Sequence, residues 1–367
     1  MAVITPRTRP ARPVRSALSR LAERLATPLL PADYLDVIAP LLSGTRLRGR
    51  IVAIHPETRD AVTLVIQPGA GWRPHTPGQY LRLGVEVDGV RQWRCYSITS
   101  RLDRPDQCVS VTVKAIPGGL VSNYLVRRAT VGTIVHLGLA AGDFVLGGVT
   151  GGAPAKVLFL TAGSGITPVM GILRNLDPDT DCDIVLVHSA PSAADVIFGG
   201  ELRMLANRGR IRLIEIHTDA DGMLAVDGLG ALVGDLAERH TWACGPAGLL
   251  DAIENKWAEA GLADHLHTER FRPSLVALGD GGTVKFSSSA VSVEAGGSRS
   301  LLDTGEAAGV LMPSGCRMGV CFGCVAPLRR GAVRDLRTGA VTTAAEGDGV
   351  VIQTCISAAA GDCDIEL

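Results

Sequence analysis

Cys316, Cys321, Cys324 and Cys355 stand as C-x4-C-x2-C followed by a remote fourth cysteine. That is the ligand spacing of a [2Fe-2S] cluster, whose two irons and two sulfides take four thiolates and whose reduction adds one further negative charge. Gly315, Gly319 and Gly323 interleave with the ligands, as expected of a tight loop that adopts positive φ and turns its N–H groups inward. Arg317 adds a positive charge beside them. A zinc site is the alternative, but zinc sites come mostly as two short C-x2-4-C pairs, whereas here three ligands share one loop. The chemistry implied is one-electron transfer.

Four further stretches carry candidate chemistry. In Arg94-Cys95-Tyr96-Ser97, strand alternation puts Arg94 and Tyr96 on one side, a guanidinium for a phosphate beside a ring for a flat ligand. An exposed arginine beside a core tyrosine is the alternative. Downstream, Gly119 and Ser122 open a short amphipathic helix whose N-terminus suits a pyrophosphate. In the stretch Lys156 to Pro168, a buried apolar strand runs into Gly163-Ser164-Gly165, with Thr167 and Pro168 as the N-cap and first residue of a helix that receives dinucleotide phosphate. The third glycine of the dinucleotide fingerprint is missing, so a generic strand-turn-helix junction stays open. Cys244-Gly245-Pro246 ends a later strand, at the carboxyl edge where open α/β sheets bind ligands. His265 and His267 lack carboxylate or cysteine companions and read as surface or packing residues.

The elements that must position these residues follow from periodicity. Arg48 to Ile54, Ala61 to Ile66, Gln79 to Val87, Arg94 to Ile98, Val109 to Ile116 and Ile134 to Leu139 alternate as short strands and predict an antiparallel barrel. Strands beginning at Lys156, Ile184, Ile211 and Thr241 alternate with helical patterns and predict a parallel sheet. Near the C-terminus Cys363, Ile365 and Leu367 alternate with Asp362, Asp364 and Glu366, which predicts an edge strand with an acidic outer face.

The chain has 367 residues, 46% hydrophobic and 20% charged, room for two or three domains. A net charge of −1 without interleaved aromatic and basic residues argues against nucleic acid. No apolar run reaches the roughly 18 residues of a membrane helix. Nine cysteines without a secretory h-region place the protein in a reducing cytoplasm. Residues 1–50 hold nine arginines against Glu23, Asp33 and Asp36. Leu18, Leu21, Ala22 and Leu25 form one helical face there, which either caps the protein or lies peripherally on an anionic membrane. A second helix is expected from Ala32 to about Leu42, its apolar side, Leu42 included, toward a core.

The stretches Leu311 to Cys324 and Gln353 to Ser357 resemble a plant-type ferredoxin, a β-grasp domain. Pro77-Gly78-Gln79-Tyr80, the Arg-x-Tyr-Ser stretch, and Val113 to Leu125, with the domain that follows, resemble the ferredoxin-NADP reductase superfamily. The resemblance implies that Arg94 binds flavin phosphate, Tyr96 packs on the isoalloxazine and Ser97 approaches the hydride-accepting nitrogen. Lys114, Gly119 and Ser122 become further flavin contacts, with FAD favoured over FMN. It also implies that Cys244, Gly245 and Pro246 lie by the nicotinamide, with Glu269 and Phe271 lining its face. NADPH is favoured over NADH on family grounds, with Ser189 and Arg203 as the residues available to a 2′-phosphate.

The expected organisation is a basic N-terminal helical extension (1–45), an FAD barrel (46–150), an NAD(P)H-binding α/β domain (151–272), a linker (273–281) and a [2Fe-2S] α+β domain (282–367). The expected activity is an oxidoreductase passing electrons from NAD(P)H through FAD and the cluster to an oxygen-dependent protein. The basic extension and Pro31-Ala32-Asp33-Tyr34-Leu35 resemble partners of membrane acyl-CoA desaturases, which implies fatty acid desaturation. A ring-hydroxylating or other oxygenase is the alternative acceptor, and an iron-sulfur redox sensor the alternative of another class.

Overall fold

The computed structural model describes residues 41–42, 47–87, 89–146, 154–177, 180, 182–271 and 280–367. The basic extension and the expected linker therefore lie outside the described residues, apart from Leu41, Leu42, Asp280 and Gly281. Leu42 is 69% exposed in a turn, not directed into a core.

Six strands form the first sheet: β1 (Arg48–Thr58), β2 (Ala61–Pro68), β3 (Tyr80–Val87), β4 (Val90–Ser97), β5 (Val109–Lys114) and β6 (Ile134–Leu137), in the order β4-β3-β6-β1-β2-β5. Every pairing is antiparallel, and a bridge between Ile98 and Val111 brings the two ends together as a barrel. Alternate residues Leu64, Ile66, Leu81, Leu83, Val111 and Val113 fill it, which is the period-2 pattern that made the strands legible. Helix α1 (Leu120–Arg127) covers one end.

The second sheet is parallel throughout: β7 (Lys156–Ala162), β8 (Asp183–Ala190), β9 (Arg212–His217), β10 (His240–Cys244) and β11 (Leu266–Glu269), in the order β11-β10-β7-β8-β9. Helices α2 (Ile166–Leu173), α3 (Gly199–Asn207), α4 (Thr218–Asp221), α5 (Leu229–Val233) and α6 (Ala247–Glu259) join them. Phe159, Leu186 and Trp242 enter one core while Leu158, Leu160, Val185 and Val187 enter another, so both faces are buried and the central strands read as unbroken apolar runs. The expectation lacked β11, a four-residue edge strand too short and too polar to signal itself.

The third sheet contains β12 (Gly282–Phe286), β13 (Val291–Ala295), β14 (Val325–Asp335), β15 (Val341–Ala344) and β17 (Ser357–Ile365), in the order β13-β12-β17-β14-β15, with β16 (Val351–Gln353) paired to β14. Helix α7 (Leu301–Ala307) packs beside it, capped by Ser300, whose hydroxyl accepts from Asp303 N–H at 3.1 Å. The C-terminal strand corrects the expectation: β17 is not an edge but lies between β12, parallel, and β14, antiparallel. Alternation placed Cys363 and Ile365 in the core correctly, but it reports only which face is buried, and says nothing about neighbours in the sheet.

The barrel and the parallel sheet are locked by two side chains at the end of α2 that bind barrel backbone. Arg174 donates to Thr99 O at 2.7 Å and binds Glu201 through both guanidinium branches, while Asn175 donates to Ser100 O at 3.0 Å and accepts from Leu102 N–H at 2.8 Å. A Cβ on Gly171 would stand 2.3 Å from Ile98 O, so α2 rests directly on the backbone that follows Ser97.

Candidate flavin, nicotinamide and cluster sites

A cavity of about 1580 Å³ opens where the three domains meet. From the barrel come Arg94, Tyr96, Ser97, Lys114, Gly119 and Ser122; from the parallel-sheet domain Thr167 and Phe271; from the third domain Cys316, Arg317 and Cys355. Residues separated by hundreds of positions thus share one space, larger than a single drug-sized ligand fills.

On β4, Arg94 and Tyr96 both line it, but so do their neighbours Cys95 and Ser97, so the wall is not one alternating face of the strand. The Arg94 guanidinium donates to Trp93 O at 2.7 Å, and burial lowers its pKa. Tyr96 is pushed up beyond the ordinary phenol range by burial. Lys114 pairs with Asp60 at 3.3 Å. Ser122 Oγ folds back on Gly119 O at 3.4 Å and accepts from Ile116 N–H at 3.3 Å, so it braces the start of α1.

At the carboxyl edge of the parallel sheet, Gly163 takes φ +53° and opens a single 3-10 turn through Gly165. Helix α2 then begins at Ile166 with Gly165 as N-cap and no side-chain cap. Thr167 therefore lies inside the helix with Pro168, not at its cap, because the 3-10 turn has already begun the coil; its hydroxyl donates to Ser164 O at 3.0 Å. A Cβ on Gly165 would meet Cys244 O at 2.0 Å. The Gly-x-Gly turn and the Cys-Gly-Pro turn are thereby one contact, with Pro246 capping α6.

Cys244 is fully buried, and burial drives its thiol well above the usual range. It lies opposite Glu269 in the β10–β11 register. Burial raises the Glu269 carboxyl to about 8, with Ser97 pulling it slightly back. Neither Glu269 Oε2 nor Ser97 Oγ makes a well-formed hydrogen bond, so two buried polar atoms face each other without full satisfaction. Tyr80, which the expectation did not single out, stands in the electrostatic field of Cys95, Cys316 and Glu269, its phenol raised to about 12, first by burial. Its only sequence signal was the Pro-Gly-Gln-Tyr stretch. Gly163, Gly165, Pro168, Ser189, Arg203, Cys244, Gly245, Pro246 and Glu269 do not line the cavity.

Ser189 is buried at the end of β8, beside a His188 whose Nδ1 lies 2.8 Å from Thr161 Oγ1 and whose pKa burial lowers to about 4. Arg203 pairs with Glu215 at 2.8 Å and so is not a free cation for phosphate. His265 and His267 stack on His240 and Trp242, each at a 4.4 Å centroid distance, as packing residues.

In the third domain, Cys316, Cys324 and Cys355 are buried and Cys321 is partly exposed. The thiols neighbour one another in two pairs, Cys316 with Cys321 and Cys324 with Cys355. Three loop N–H groups donate to sulfur: Cys316 and Gly323 to Cys321 Sγ at 3.1 and 3.3 Å, and Met318 to Cys316 Sγ at 3.3 Å. Among the described residues no three His, Cys, Asp or Glu side chains converge on a single ion. Two sulfur pairs with inward N–H donors fit a two-iron cluster. A Cβ on Gly315 would stand 2.3 Å from Cys321 Sγ, and Gly319 adopts φ +76°. Arg317 and Phe322 also take positive φ, which the glycine pattern did not foretell. Nor is Arg317 a free charge: it pairs with Asp303 at 3.1 Å and with Glu306. The cluster loop faces the barrel at Cys95, which lines the same cavity as Cys316; the neighbouring Cys316 thiol and burial push the Cys95 thiol far up, while the Cys95 neighbour lowers Cys316.

Comparison with known proteins agrees with this geometry. The family model for an oxidoreductase FAD-binding domain matches residues 74–145. An NADPH oxidoreductase of Mycobacterium tuberculosis is 48% identical over 357 residues, 96% of this chain and 92% of that protein. The ferredoxin reductase component of a 3-ketosteroid-9-alpha-monooxygenase from Mycolicibacterium smegmatis is 31% identical, covering 77% of this chain and 86% of its own. In fold, phthalate dioxygenase reductase matches with a TM-score of 0.61 at 23% identity, over 88% of this chain and 98% of that one. A barrel joined to a parallel sheet through Arg174 and Asn175, a shared cavity, and 48% identity over nearly the full length to an NADPH oxidoreductase leave one conclusion: the chain is an oxidoreductase and belongs to the ferredoxin-NADP reductase superfamily.

Proposed function

We propose that the protein takes hydride from NADPH and passes the two electrons singly, through FAD and a [2Fe-2S] cluster, to an oxygenase. The observation that carries this reading is the shared cavity walled by Cys95, Tyr96 and Ser97 on the barrel side and by Cys316 and the cluster loop on the other. When bound, the flavin supplies the exchange between two-electron and one-electron chemistry, and the cluster supplies one-electron storage.

The chain's own residues do the rest. Arg94 holds a flavin phosphate, Tyr96 packs on the ring, and Lys114, Gly119 and Ser122 border it. Gly163, Gly165, Thr167 and Pro168 bring the start of α2 to the dinucleotide, while Gly245 and Pro246 shape the nicotinamide rim beside Cys244. Glu269, held neutral by burial, keeps a proton close to Ser97 where hydride arrives, and Phe271 shields the face from water. Cys316, Cys321, Cys324 and Cys355 hold the cluster. Ser189 remains the available hydroxyl for a 2′-phosphate; Arg203 serves only if its bond to Glu215 opens. NADPH is favoured by the name of the 48% identical relative. The domain limits given above are part of this proposal.

The monooxygenase reductase among the relatives supports an oxygenase acceptor. A membrane acyl-CoA desaturase rests on the basic extension and its Pro31-Ala32-Asp33-Tyr34-Leu35 segment alone, outside the described residues, and none of the relatives named above is described as a desaturase partner. Peripheral membrane contact rests on the same segment. Among the described residues no helix is long and apolar enough to cross a membrane.

The test is an anaerobic visible-absorption titration with NADPH and, separately, NADH. Bleaching of flavin and cluster bands at stoichiometric NADPH is expected. Bleaching of neither by either nucleotide rules out the reductase reading, and bleaching by NADH alone reverses the donor. Oxygen-dependent turnover with an oxygenase, set against turnover with a desaturase, then decides the acceptor.

A further inference from the structure

The cations of the shared cavity are not equivalent. On the barrel side Arg91 pairs with Glu86 at 2.8 Å and Lys114 with Asp60 at 3.3 Å. On the ferredoxin side Arg317 is taken by Asp303 and Glu306. Two lining guanidiniums have no carboxylate partner among the described residues: Arg94 on β4 and Arg299 in the turn before α7. Arg299 is exposed; its N–H is tied to Gly296 O at 3.2 Å and Ser300, the cap of α7, follows it, so the side chain leaves a fixed backbone.

A guanidinium fork suits phosphate oxygens, and each phosphoryl group of a pyrophosphate carries a negative charge. Arg94 matches one of them. We propose that Arg299, supplied by the ferredoxin domain, binds the second, so that FAD is gripped across the domain boundary. This rests on the flavin site proposed above and deepens it. Arg317 contributes indirectly: paired with Asp303 and Glu306, it offsets part of the negative charge that would otherwise repel a phosphate from this wall. Two consequences follow. FMN, which lacks the second phosphate, gains nothing from Arg299, so the contact selects the dinucleotide. And because coupling is reciprocal, bound FAD holds the ferredoxin domain, with its cluster loop, against the barrel.

The experiment strips flavin from the full-length protein and titrates FAD and FMN back, read by flavin fluorescence, in the wild type, Arg299→Gln, Arg299→Glu and Arg94→Gln. Loss of a charge-assisted hydrogen bond predicts that Arg299→Gln weakens FAD about tenfold or more while FMN binding is unchanged. Arg299→Glu, reversing the charge at the same exposed position, weakens FAD further. Arg94→Gln weakens both flavins. Unchanged FAD affinity in both Arg299 variants, with Arg94→Gln impaired, overturns the cross-domain contact and leaves the flavin site standing. Equal weakening of FAD and FMN by Arg299→Gln overturns the assignment to the second phosphate. Wild-type binding in all three variants overturns the flavin site itself.

Discussion

The two ends of the electron path meet water in opposite ways. Where nicotinamide would sit, Cys244 is fully buried and Glu269 is held neutral to about pH 8 by the absence of solvent. At the other end Cys321 is partly exposed, and its neighbours Val320 and Phe322 are 46% and 68% exposed. Hydride transfer needs close contact and exclusion of water, so its site is built from strand ends packed against each other. Single electrons must leave for another protein, so the exit is an open loop with apolar side chains standing out of it. The two regions also differ in how they are made. Three of the four sulfurs come from nine consecutive residues, whereas Ser97, Cys244 and Glu269 arrive from three separate strands.

That contrast can be broken most severely at the exit. Replacing a ligand, as in Cys321→Ser, is expected to abolish the cluster absorption and cut electron transfer to a protein acceptor about a hundredfold or more, while artificial acceptors reduced directly by flavin are still turned over. Loss of both activities together would show that the cluster is not a separate last station.

Gly165→Ala tests the buried end through its packing. A Cβ placed 2.0 Å from Cys244 O forces the two turns apart, which should cost ~3 kcal/mol of stability in denaturant unfolding and weaken nicotinamide binding. Unaltered stability would mean that the two turns can separate freely.

Glu269→Gln sharpens the role of burial. In the folded protein the carboxyl is protonated up to about pH 8, whereas unfolded it ionises near its ordinary value. Between those values the native state binds the extra proton, so stability falls as pH rises, in total by a few kcal/mol, because each tenfold difference in proton affinity between the two states is worth about 1.4 kcal/mol. The glutamine variant should be flatter across this window and more stable at alkaline pH. Its hydride-transfer rate in single turnover should fall roughly tenfold, and a wild-type rate would deny the carboxyl any part in the chemistry.

The smallest effect is expected at the exposed loop. Phe322→Ser should leave the cluster spectrum and NADPH-driven reduction of artificial acceptors intact and raise the KM for the protein acceptor about fivefold, as expected for one apolar contact at an interface. An unchanged KM would move the docking face elsewhere.

How legible these regions were follows from the same contrast. Cys316, Cys321, Cys324 and Cys355 announced their chemistry because a cluster demands fixed spacing within a loop. The barrel strands and β7 and β8 were legible because burial on one or both faces prints its period on the chain. β11 was not, since four partly exposed residues print none, and the edge position expected for β17 was mistaken because alternation does not reveal pairing order. Residue type alone makes Thr167 a cap, whereas an intervening 3-10 turn moves the helix start to Ile166.

By itself, then, the sequence determined the order of barrel, parallel sheet and α+β domain, and it pointed to the four cysteines as the proposed ligand set and to the Arg-x-Tyr-Ser and Cys-Gly-Pro stretches, because each is written in local spacing or periodicity. Only the tertiary structure decided that Gly165 abuts Cys244, that Glu269 becomes a neutral acid beside Ser97, that Arg317 and Arg203 are spent on carboxylates, and that Arg94 and Arg299 share a cavity without a carboxylate partner among the described residues. Those properties depend on dielectric and on distances between segments far apart in the chain, and no local pattern encodes either.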